Sequence, residues 1–329
     1  MMNVLYASDD NYAPILSVSI ASLFEHNIAT PISVNIIDDG ISDKNKDVIS
    51  KLPQTTNHVI NYIKKDVKNE LRNINMKLDR GSISQFSRLF IQEILSPDYE
   101  RVLYLDCDTL ILDDLSELYN TDLHKNVAGG VLDAFSKWHY KALGLGENDI
   151  YINSGVMLID LKRWKEEKIE NRYIYEIIKR NGEILQGDQG LINIVLKGKV
   201  QMLPVRYDLM CYNYDFSYNE MMTYRKPFKY YKEQDISEAK ESPAIIHFTT
   251  SYASMRPWQR DDCDHPYARK WVKLYNSNGF EVEDCEEKMT LKLYRCFPHI
   301  FILYPLRIVH SFIKPQYWML KYRQSYIME

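Results

Sequence analysis

The chain has 329 residues, 45% of them hydrophobic and 26% charged, enough for one large α/β domain with additions or two smaller ones. A formal net charge of −4 gives no global attraction to nucleic acid, and no such partner is expected. The five cysteines (Cys107, Cys211, Cys263, Cys285, Cys296) include no CxxC pair, which argues against a disulfide framework or a cysteine zinc site and fits a reducing, cytoplasmic setting.

Val4 to Asp9 reads as a strand ending in the polar turn Asp9-Asp-Asn-Tyr12, without the basic start and long apolar run of a signal peptide. Pro14 opens a helix to about Glu25, and Ile32 to Asp38 is a second strand terminated by Asp38-Asp-Gly40. Ser42 can cap a helix through Leu52, and Asn57 to Ile63 is a third strand. Such alternation predicts a mostly parallel sheet flanked by helices. Ser84 to Leu95 reads as an amphipathic helix stopped by Pro97.

The next stretch, Arg101-Val-Leu-Tyr-Leu-Asp106-Cys107-Asp108, runs from apolar strand into two acids spaced i, i+2. On an extended backbone that spacing puts both carboxylates on one face. Two carboxylates held together repel unless a cation lies between them, so a hard divalent ion, Mg²⁺ or Mn²⁺, is the natural third party. Downstream, Val127 to Asp133 and Tyr151 to Leu161 read as strands, Lys162 to Arg180 as one charged helix, and Leu191 to Leu196 as a short apolar helix behind Gly187-Asp188-Gln189-Gly190. Residues 207–231 are tyrosine-rich and read as an irregular loop region, and Ala244 to Phe248 is a strand with His247 near its end. The 25 tyrosines offer flat apolar faces with polar tips, which suit sugar rings and half-buried packing alike.

The C-terminal stretch differs in kind. From Lys288 to Arg323 there is no acid, and seven bases alternate with aromatic residues, while Pro298, Pro305 and Arg307 break the apolar run. Residues 289–323 therefore suit either peripheral contact with the anionic inner face of the cell membrane or a helical extension packed on the domain.

Four segments in order, Ala7-Ser-Asp9-Asp-Asn11-Tyr12, Arg101 to Asp108, Asn153-Ser-Gly155-Val and Gly187-Asp188-Gln189, followed by His247, make the chain resemble the family 8 glycosyltransferases. These are retaining enzymes of the GT-A fold, and the likeness is strongest to bacterial galactosyl- and glucosyltransferases of lipopolysaccharide and related glycans. It implies a single Rossmann-like mixed, mostly parallel sheet over residues 1–275, with a helical extension over 276–329. It also implies a UDP-hexose donor and a saccharide, glycolipid or glycoprotein acceptor. By the same resemblance, Ala7, Asp9, Asn11 and Tyr12 would hold the uridine, and Arg88 would lie by the diphosphate or donor sugar. Asp106, Asp108 and His247 would ligate Mn²⁺, with Cys107 between the two acids. Asn153, Asp188 and Gln189 would line the donor sugar, and Asp133 would face donor and acceptor. Gln189 falls where a nucleophile would stand but is a poor one, which favours a front-face reaction; Asp188 stays open as the alternative.

One segment departs from the family pattern. The run His247-Phe-Thr-Thr-Ser-Tyr-Ala-Ser-Met-Arg256-Pro-Trp258 is longer than the usual diphosphate-closing loop, lacks its glycine, and carries Arg256 where lysine is usual. Arginine still binds phosphate, though with a bulkier, planar group. A glycogenin-like protein-glucosylating enzyme and a non-catalytic nucleotide-sugar-binding protein are the alternatives.

Overall fold

The computed structural model describes residues 1–52, 55, 57–64, 83–287, 289–296 and 299–321. Ten strands occur in chain order among them: β1 (Met2–Ser8), β2 (Ile32–Asp38), β3 (His58–Ile63), β4 (Arg101–Leu105), β5 (Thr109–Ile111), β6 (Ala128–Leu132), β7 (Ile152–Asp160), β8 (Val200–Met202), β9 (Leu209–Met210) and β10 (Ile245–His247). Seven form the main sheet in the order β3-β2-β1-β4-β7-β6-β8. Strand β7 runs antiparallel to β4 and β6, and every other pairing is parallel. The sheet is thus mixed but mostly parallel, as expected. Strands β1, β2 and β4 carry near-continuous apolar runs because helices cover both faces.

A second sheet, β5-β10-β9, lies beside the first. Strand β5 follows β4 after a three-residue turn, so the segment Asp106 to Asp108 is the junction between the two sheets. The expected helix after Pro14 spans Ala13–His26, buried along most of its length. Ser42 caps the helix Asp43–Ser50 by accepting from the Asn45 amide.

Three sequence expectations change. Ser84 to Leu95 is not an α-helix: a 3₁₀ helix over Ile83–Leu89 is followed by turns. Phe86 through Ile91 are buried consecutively rather than on one stripe, and the Gln92 amide donates to Glu170 Oε1 at 2.6 Å instead of continuing a ladder. The charged helix is two, Leu161–Glu166 and Ile169–Lys179, separated where Lys168 adopts φ 51°. The region 207–231 is ordered, with helices Tyr212–Asp215 and Tyr218–Arg225, the latter opened by a capping box between Ser217 and Glu220.

Beyond the helix Ala268–Ser277, the tail forms helices Met289–Cys296, His299–Ile308 and Lys314–Lys321, the last two joined by a π-helical turn Val309–Ile313. One face packs inward through Leu291, Tyr294 and Leu303, and Ser311 Oγ donates to the Arg225 carbonyl at 2.8 Å. The other face leaves Phe301, Tyr304, Ile308, Phe312, Tyr317 and Leu320 exposed. The tail thus has a packed side and an open apolar side. Lys288, Phe297, Pro298 and Arg323 lie outside the described residues. Among the described residues no helix is long and apolar enough to cross a membrane.

Candidate active site

The centre of the site is the turn between β4 and β5. Asp106 and Asp108 do not project from an extended strand; β4 ends at Leu105 and the two acids converge through the turn. Antiparallel pairing of β10 with β5 sets His247 opposite Thr109, immediately after Asp108, and the Phe248 amide donates to the Asp108 carbonyl at 2.9 Å. His247 Nε2 lies 3.2 Å from Asp108 Oδ1 and 3.8 Å from Asp106 Oδ2. One ligand atom from each of the three falls within 4.8 Å of the others. Two carboxylates and an imidazole are a donor set that suits Mn²⁺, with positions left over for phosphate oxygens.

Burial alone would push the His247 imidazole down, but the carboxylates of Asp208 and Asp108 hold it well above its ordinary value. Burial likewise opposes the charge on Asp108, which His247 and Arg256 keep below the usual carboxylate range. Gly155 makes the geometry feasible. The Asp106 amide donates to its carbonyl at 2.7 Å, and a Cβ there would stand 2.2 Å from His247 Cε1 and 2.8 Å from Asp106 Oδ2.

Arg88 is buried behind the turn, with Nη2 2.7 Å from Asp106 Oδ1 and Nε 3.2 Å from Asp188 Oδ2. Its guanidinium lies 4.4 Å over the Tyr104 ring, and the Tyr104 hydroxyl also donates to Asp106 Oδ1 at 2.9 Å. Burial pushes the Asp188 carboxyl up, with Arg88 opposing. The helix Gly187–Val195 starts one turn earlier than expected and carries Asp188 and Gln189 on its first turn. Gln189 Nε2 donates to Asp133 Oδ2 at 3.0 Å and to the Tyr151 hydroxyl at 3.1 Å, while its Oε1 accepts from the Ser154 amide at 3.3 Å. Asn153 Oδ1 accepts from the Gly155 amide at 2.7 Å, which shapes the strand beside them.

Asp9 and Tyr12 are joined by a turn in which Asp9 Oδ1 accepts the Tyr12 amide at 3.1 Å; Asn11 and Tyr12 are exposed. Arg256 reaches toward them from the 247–258 loop: it donates to Thr250 Oγ1, lies 5.1 Å over Trp258, and its charge is close enough to Tyr12 to act on that hydroxyl. Cys107 points away from the two acids, a buried thiol donating to the Ala7 carbonyl at 3.2 Å and so tying the β1 end to the turn. The structure thus brings together Asp106, Asp108, His247, Arg88, Asp188, Gln189, Asp133 and Asn153. Asp9, Asn11 and Tyr12 form a rim joined to the centre through Arg256. Sequence reasoning missed Tyr104, Tyr151 and Asp208; the first two sit in apolar strand runs, and Asp208 is a lone acid in a tyrosine-rich stretch without a motif.

A mixed sheet of this order, with an Asp-x-Asp turn at the end of β4, defines a GT-A glycosyltransferase. The galactosyltransferase LgtC, solved with donor and acceptor sugar analogues, superposes with a TM-score of 0.70 at 26% identity, covering 90% of this chain and 99% of that one. An active-site glutamine-to-glutamate mutant of LgtC superposes with a TM-score of 0.69 at 27% identity, covering 84% of this chain and 96% of that chain. The chain belongs to glycosyl transferase family 8, whose sequence profile matches residues 3–262, and it is a hexosyltransferase. The lipopolysaccharide 1,2-glucosyltransferase of Escherichia coli K12 is 26% identical over 317 residues, 92% of this chain and 86% of its own length. A relative from Haemophilus influenzae is 31% identical over 213 residues, but the match spans 63% of that protein, just under two thirds.

Proposed function

We propose that this enzyme transfers galactose or glucose from a UDP-sugar to a glycan, glycolipid or glycoprotein acceptor, with retention of configuration. The observation that carries the reading is the convergence of Asp106, Asp108 and His247 beside Gln189, Asp188 and Asp133. Asp106, Asp108 and His247 would hold Mn²⁺, with Mg²⁺ as the alternative ion. The ion, when bound, supplies Lewis-acid stabilisation to the negative charge that develops on the departing diphosphate. Arg88 orients Asp106 and Asp188 through its two ion pairs. Arg256, near Asp108 and Tyr12, adds a phosphate-binding cation at the rim. Asp9, Asn11 and Tyr12 hold the uridine, with Ala7 and Cys107 in the floor beneath it, and Asn153, Asp188 and Gln189 face the hexose. Gln189 has both ends of its amide engaged and is a weak nucleophile, which favours a front-face reaction. Mn²⁺-dependent hydrolysis of UDP-Gal, UDP-Glc and UDP-GlcNAc tests the proposal. Asp108→Ala is expected to remove the activity, about 10²-fold or more, by the loss of one preorganised charge contact. Turnover close to wild type in that variant at saturating Mn²⁺ overturns the metal assignment.

Residues 1–275 serve as the transferase unit and 276–329 as its extension, packed on it through Leu291, Tyr294 and Leu303. The open face of that extension suits peripheral attachment at the inner membrane surface, with Phe301, Tyr317 and Leu320 entering the interface. Arg295 is occupied by Asp264 and Glu287, so apolar burial carries more of this contact than composition alone suggests. Phe301→Asp with Leu320→Glu is expected to weaken binding to anionic vesicles and leave the melting temperature unchanged. Equal binding by this variant rules the face out.

A further inference from the structure

We infer that Asp208 is a positioning residue for the metal centre, acting through His247. The inference rests on the metal reading above and deepens it. Asp208 follows the 3₁₀ turn Val205–Tyr207 and directly precedes β9. Parallel pairing of β9 with β10 sets Leu209 beside Ile246 and Met210 beside His247. That register brings Asp208 Oδ1 to 2.9 Å from His247 Nδ1, on the side of the ring away from Asp108. Asp208 is fully buried, and its Oδ2 has no hydrogen-bond partner among the described residues.

A carboxylate in that condition is expensive to bury. Its hydrogen bond to one imidazole offsets only part of the cost. Three carboxylates, Asp106, Asp108 and Asp208, crowd one histidine; Arg88 pairs with Asp106, and a divalent cation between Asp106, Asp108 and Nε2 would offset the charge that is left. With Nδ1–H held by Asp208, Nε2 is the nitrogen that faces Asp106 and Asp108, and a metal held there would displace its proton and take its lone pair. The same hydrogen bond fixes the ring plane and increases the donor strength of Nε2. Gly155 closes the other side of the ring, so the imidazole is held between a carboxylate and a backbone that has no side chain.

Asp208→Asn and Asp208→Ala test this in the full-length chain, with Mn²⁺ alone as the probe. Free Mn²⁺ is followed by electron paramagnetic resonance, and melting temperature is read in chelator and in excess Mn²⁺. Both variants are expected to bind Mn²⁺ about 10–100-fold more weakly, the range for loss of an outer partner of a ligating histidine. Asp208→Asn is isosteric and removes a buried charge, so its metal-free melting temperature should match or exceed that of wild type. A merely structural Asp208 gives the opposite pattern, a lower metal-free melting temperature with Mn²⁺ affinity within about twofold of wild type, and that result overturns the inference. Wild type that binds no Mn²⁺ brings down the metal reading and this one together. Wild type that binds, with Asp108→Ala that does not, leaves the metal reading standing whatever Asp208 does.

Discussion

Gly155 shows how little room the residues of the site leave one another. Its missing Cβ is the space occupied by the His247 ring, and both that ring and Asp106 are pinned from their other sides. Gly155→Ala is expected to destabilise the fold by about 1–3 kcal/mol, the usual cost of overpacking a filled interior. It should also weaken Mn²⁺ binding more than any exposed substitution does. Thermal unfolding and a Mn²⁺ titration check this together; wild-type values in both would mean the ring can yield. Arg256 at the rim predicts a different pattern, since it stands near Tyr12 on a loop rather than in the core. Arg256→Ala should raise KM for the donor and lower kcat, with stability intact, and steady-state kinetics over donor concentration decide it. At this scale the sequence was informative where residues fall in short motifs, as with Asp106, Asp108, Asp188 and Gln189. Asp208 was invisible because its partner stands 39 positions away and only strand pairing joins them.

Elements were legible to the extent that burial was one-sided or complete in a regular way. The apolar runs of β1, β2 and β4 announce strands because two covered faces demand them. The stretch from Phe86 to Ile91 misled because it is enveloped on all sides, so helical spacing of its apolar residues carried no information about a helix. The tyrosine-rich region misled in the other direction. Its helices are short and held by local capping, which composition hides. Ser217 accepts from the Glu220 amide, and Glu220 returns the bond to the Ser217 amide. Ser217→Ala should therefore cost about 1 kcal/mol, measurable by denaturant unfolding. The helix it starts ends at Arg225, whose carbonyl receives Ser311 of the tail, so the loss should also loosen the tail.

At the scale of the whole molecule, docking of the tail depends on two neutral histidines. His139 and His310 lie with ring centroids 5.1 Å apart and Arg225 within 3.3 Å of His310 Nε2. Burial first, then Arg225 and Lys314, push His139 down to about 3 and His310 down to about 2, the latter also through His139. In an unfolded chain both return to about 6.5 and so bind more protons across the window below it. Their share of stability is whole above about pH 6.5 and is lost progressively as pH falls toward about 3. The melting temperature should drop on going from about pH 7 to about pH 5, and His310→Gln should flatten that slope. The tail also touches the site by a second route. Tyr252, in the loop that carries Arg256, packs edge-on against Tyr294 of the tail at 5.7 Å and against Tyr224 at 5.3 Å. The donor loop therefore leans on a wall that the tail supplies. Tyr294→Ala should raise KM for the donor, acting through Tyr252 on the loop that carries Arg256, and steady-state kinetics check it. Through Tyr252 and Tyr294 the tail and the Arg256 loop share one aromatic contact, so whatever shifts the tail is felt as slack or strain in the loop.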